Sequence, residues 1–72
     1  MSSDLSIDEI RELRAKLEEL KLEHRDLDDV IGQMSDLPFA DQIQIKRLKK
    51  RKLMLKDRIE LIKSRLLPDI LA

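Results

Sequence analysis

The chain contains no cysteine, no tryptophan and no tyrosine, one glycine and two prolines, and its single aromatic side chain is Phe39. Without cysteine there is no disulfide framework, no thiolate zinc site and no thiol nucleophile, and nothing that indicates a redox compartment. Scarce glycine and aromatics disfavour globular β folds. Long hydrophobic runs are missing as well: charged residues make up 42% of the chain, so no stretch of about 20 apolar residues could span a bilayer. Met1-Ser2-Ser3-Asp4 lacks the basic and apolar regions of a signal peptide, and Ser2 stands where myristoylation requires glycine. A cytoplasmic location is expected.

What is present is helix-forming. Ala, Glu, Lys, Leu and Arg account for 38 of the 72 residues, the share expected of long helices and coiled coils. A chain of this length makes one small domain whose core is only marginally stabilising. The net charge of zero conceals an asymmetry: residues 1–36 sum to −6 and residues 37–72 to +6. The densest block, Lys46-Arg47-Leu48-Lys49-Lys50-Arg51-Lys52, could mark a nucleic-acid patch, but the attached acidic half weakens that signal.

Ser6 followed by Glu9 has the form of a capping box, with Leu5 and Ile10 placed as a hydrophobic staple. From there Ile10, Leu13, Leu17, Leu20, His24, Leu27, Ile31 and Met34 follow alternating steps of three and four, the spacing of a helical seam that stays against a partner. Gly32 could be a C′ residue, and Ser35-Asp36-Leu37-Pro38 supplies turn chemistry. Asp41 with Gln44 offers a second capping box, after which Ile45, Leu48, Lys52, Leu55, Ile59, Ile62 and Leu66 repeat the spacing. The expected architecture is all-α: a single antiparallel two-helix hairpin over residues 1–72, with helices at about 7–34 and 42–67, a connection over 35–41 and a frayed tail over 68–72. Phe39 is expected to plug the apolar end of the hairpin rather than stack on a base, since stacking recognition uses several aromatics.

His24 and Lys52 stand in seam positions that call for Leu or Ile, and an antiparallel hairpin puts them at nearly the same height. Polar seam residues fix register at some cost in stability. Lys52 is expected to snorkel to the surface and meet Asp28 or Glu23. His24 could alternatively respond to pH, or join a metal site shared between chains, though one histidine without cysteine cannot complete a conventional zinc site in one chain. No cofactor is expected. Ser35 and Ser64 fall in loop or outer-face positions, there is no glycine-rich phosphate loop, and a two-helix hairpin leaves no volume for a small-molecule substrate, so an enzyme is not expected.

The flanks of the second seam, Lys49, Arg51, Lys56, Arg58, Lys63 and Arg65, are all cationic, whereas those of the first are mixed. Surplus acid lies one step around the first helix at Glu12, Glu19 and Asp26, so facing the two helices leaves the basic edges unneutralised. Within the first helix, Glu12 and Lys16 form the favourable pair at spacing four. Leu53, Met54 and Leu61 make a partial second stripe that a lone hairpin leaves in water. Self-association into a dimer or larger bundle is therefore expected, with Lys49, Lys50, Arg51, Leu53, Met54, Lys56 and Leu61 as the candidate interaction surface.

Two segments, residues 20–31 and 48–57, resemble the YdcH-like family of short bacterial proteins of unknown function. The resemblance rests on His24, Leu27, Asp28 and Ile31 in the first segment. In the second it rests on Lys49, Lys50 and Lys52, followed by Leu53, Leu55, Lys56 and Asp57. It extends from Leu20 to about Ile62 and leaves out the Ser6 start and the Pro68 tail. It implies a bacterial cytoplasmic helical hairpin and brings no reaction. The expected function is a non-enzymatic module that self-associates and offers a charged, partly apolar helix face to a protein partner. The alternative is a nucleic-acid-associated protein that sets its Lys46 to Lys56 surface on phosphates. A membrane role is not expected, because the basic helix lacks Trp or Phe and its apolar face is committed to the hairpin.

Overall fold

The computed structural model describes residues 5–66 and contains two helices, α1 (Ile7–Ser35) and α2 (Gln42–Leu66), which pack side by side as an antiparallel hairpin. The rod measures 51 × 24 × 15 Å. The Met1-Ser2-Ser3-Asp4 start, Leu67 and the expected frayed tail lie outside the described residues.

Each helix begins on the side chain that local chemistry assigns to it. The Ser6 hydroxyl accepts from the Glu9 amide at 3.1 Å, while the Ser6 amide donates to Glu9 Oε1 at 2.9 Å, closing the capping box. Leu5 and Ile10, the expected staple, are both half-buried. Asp41 Oδ1 accepts from the amides of Ile43 and Gln44 at 3.0 and 3.1 Å, and the Asp41 carbonyl accepts from Ile45. That cap satisfies amide donors that the first turn of a helix leaves unpaired. Gly32 is not a C′ residue: α1 continues through it and closes with Asp36 as the C-cap, whose amide donates to Gln33 at 3.3 Å.

All eight seam positions of α1 and all seven of α2 are buried or half-buried. The core gathers Leu17 and Leu20 with Leu55 and Ile59, flanked by Leu27, Ile62 and Leu66. Ile31 and Ile45 are buried nearer the bend. Phe39 does not plug that end and is 95% exposed. The bend is only six residues long, and Asp41 must sit at its last position to cap α2. Ala40 is consequently the half-buried member of the bend, and its neighbour Phe39 is carried outward. Among the described residues no helix is long and apolar enough to cross a membrane.

Candidate functional site

The layer where the seam turns polar is built from α1 and α2 together. Lys52 Nζ donates to Asp28 Oδ1 at 2.7 Å, with the Lys52 side chain 29% exposed and that of Asp28 59%. The stem of Lys52 fills its seam position while the ammonium reaches the edge. The hydrogen bond from Lys52, then its charge, holds the Asp28 carboxyl below its ordinary value, and the nearby His24 acts in the same direction. His24 is half-buried one turn before Asp28. Of the two carboxylates the sequence allowed, Glu23 lies on the opposite side of the hairpin, in a groove it lines with Arg51 and Arg58. The reason is rotational: residues 28 and 23 flank opposite edges of the α1 seam. Among the described residues no three His, Asp or Glu side chains gather as a metal site.

That rotation also sorts the charges of the whole rod. On one side Glu9, Lys16 and Glu23 of α1 recur every seven residues and face Arg65, Arg58 and Arg51 of α2. Behind them lie Glu12, Glu19 and Asp26 on α1 and Arg47 on α2, so five acids balance five cations. Glu9 shows the coupling: its carboxyl is lowered mainly by hydrogen bonds from Ser6, with a smaller contribution from the charge of Arg65. On the other side Arg14 and Lys21 share a groove with Lys63, Asp28 pairs with Lys52, and the seven-residue spacing puts Lys56 and Lys49 in the same row as Lys63. Arg11, Glu18 and Arg25 stand behind on α1, and Lys46, Leu53 and Glu60 on α2. Counting Lys52, this side carries nine cations against three carboxylates.

The basic edges expected to remain unneutralised therefore differ from each other: the arginine edge meets two carboxylates and Lys16, and the lysine edge meets two cations and Asp28. All three carboxylates of the lysine side already bind lysines: Glu18 to Lys21 at 3.7 Å, Asp28 to Lys52, and Glu60 to Lys56 and Lys63 at 3.2 and 3.6 Å. The last two partners hold the Glu60 carboxyl below its ordinary value, through the hydrogen bond from Lys56 first and the charge of Lys63 second. On α1, Lys16 turns forward to Glu19 at 3.4 Å rather than back to Glu12.

The seven residues expected to form one interaction surface wrap around three sides of α2. Lys49 and Lys56 belong to the lysine side and Arg51 to the arginine side. Lys50, Leu53, Met54 and Leu61 occupy or border the outer face, where the three apolar members are 64%, 59% and 63% exposed. Arg14, Lys21 and Lys63 were not expected on that surface, yet they belong to the shared basic side. The signal was available, because the flanking cations separate into lysines at 49, 56 and 63 and arginines at 51, 58 and 65. In an antiparallel pair those two rows look toward different edges of the neighbouring helix.

No curated protein and no solved structure matches the chain. A family model described as protein of unknown function DUF465 matches residues 17–63, which take in most of the paired seams, the bend and the Lys52–Asp28 layer. The chain belongs to this family of small proteins of unknown function, of which the YdcH-like proteins are members.

Proposed function

We propose that the hairpin is a non-enzymatic interaction module of the bacterial cytoplasm, which self-associates into a helical bundle and binds a protein partner through the outer face of α2. The observation that carries this reading is the second apolar stripe. Leu53, Met54 and Leu61 are each more than half exposed, and Ile43 near the start of the same helix is 66% exposed. None of the four belongs to the seam against α1. Burying such side chains is worth about 1.5–3 kcal/mol each, a gain that a lone hairpin forgoes. Lys50 and Asp57 stand between the apolar residues along the helix and supply the mixed charge that lines the rim of protein interfaces.

Sedimentation velocity of the intact chain over a micromolar to millimolar range tests the reading. The wild type is expected to shift to a dimer or larger species, and the double variant M54E/L61E is expected to remain monomeric with its helical circular dichroism intact. A wild type that stays monomeric throughout, or a variant that associates equally well, overturns it.

A further inference from the structure

We propose that the lysine side of the hairpin binds the phosphate backbone of a nucleic acid. This surface adjoins the outer face of α2 at Leu53 but is centred on a different side of the hairpin, and it does not depend on self-association. Its basis is the sorting of charge by the antiparallel fold. The chain as a whole is neutral, so net charge draws no polyanion to it, yet one side holds a surplus of six cations. Of the acids of the first half, which in the linear sequence argue against such binding, five are turned elsewhere. Glu9, Glu12, Glu19, Glu23 and Asp26 lie on the arginine side. The three carboxylates that remain among the lysines are each engaged by a lysine of the same chain. Among the described residues no ion pair engages Arg11, Arg14, Arg25, Lys46 or Lys49, and none engages the arginines of the other side either, so the two sides differ in their balance of charge rather than in pairing.

The shape of the patch selects the ligand. Lys46 and Lys63 stand about 25 Å apart along α2, and Lys49, Lys56 and Lys63 recur at about 10 Å intervals. A small anion would meet one or two of these ammonium groups. A duplex, with one charge per about 1.7 Å of axis, meets the whole row and releases counterions along it. A membrane surface or an acidic protein would call for a cluster of apolar anchors, and this side exposes only Leu53 on α2 and Ile7 at the far start of α1 among its described residues. Lysines act as point charges on phosphate oxygens, so binding is expected to be independent of base sequence.

The test is fluorescence anisotropy of labelled DNA duplex and of single-stranded RNA with the intact chain, from about 50 to about 200 mM salt. Binding at low salt is expected, with log affinity falling linearly in log salt. Replacing Lys49, Lys56 and Lys63 by Gln should weaken binding about tenfold or more and flatten the salt slope. Replacing Arg47, Arg51 and Arg58 by Gln removes the same charge from the other side and should change affinity by less than about threefold, with circular dichroism showing both variants folded. Three results overturn the proposal: no binding of either nucleic acid at low salt, equal losses from the two triple variants, or capture of anionic phosphatidylserine vesicles without binding of either nucleic acid.

Discussion

At Gly32 the first helix carries a residue without a side chain where there is room for one: a Cβ built there meets nothing within 4 Å. Glycine inside a helix costs about 0.5–1 kcal/mol relative to alanine because the unfolded chain is so much freer. Gly32→Ala is therefore expected to raise stability by about that amount in urea denaturation. A loss of stability would mean that another copy or partner covers the position closely. Two residues show what can be read from a sequence at this scale. Ser6 and Asp41 were legible as caps because a short polar side chain and the amides it serves lie within three positions of each other. Phe39 was not legible, because its direction depends on how a six-residue bend joins two helices already held in register by their own seams.

At the scale of the element, the two seams were legible in the spacing of apolar residues alone, because a period of about 3.5 residues leaves a helix one face to bury. Every position on that face is buried or half-buried. The polar layer is where the pattern and its stability diverge. Lys52 occupies a seam position yet spends its charge at the edge on Asp28, in a pair that solvent screens. A leucine there would extend the apolar seam between Leu48 and Leu55. Lys52→Leu is accordingly expected to raise the melting temperature while broadening the distribution of registers or oligomers, read by thermal circular dichroism and native mass spectrometry. A variant that melts lower and stays homogeneous would show that the lysine contributes packing or pairing rather than alignment. What the periodicity did not reveal was the inequality of the two edges. A linear list of flanking residues mixes the rows that rotation separates, and the rows acquire meaning only once the neighbouring helix runs antiparallel.

For the whole molecule, connectivity and charge are one problem. Folding an acidic half onto a basic half does not cancel the two evenly: the register of the hairpin gives the arginine side equal numbers of acids and cations and leaves the lysine side with a surplus of cations. The outer stripe of α2 and the lysine side both follow from the same pairing, and neither exists if the helices run on as one rod. The direct test is the distance between spin labels at Glu18 and Lys63, which line one groove across the two helices, measured by pulsed electron resonance with excess unlabelled chain so that only intrachain pairs report. The hairpin places the labels within about 25 Å, some two helix diameters. A separation near 70 Å, as about 45 residues of continuous helix would give, or a short distance that vanishes when unlabelled chain is added, would contradict it.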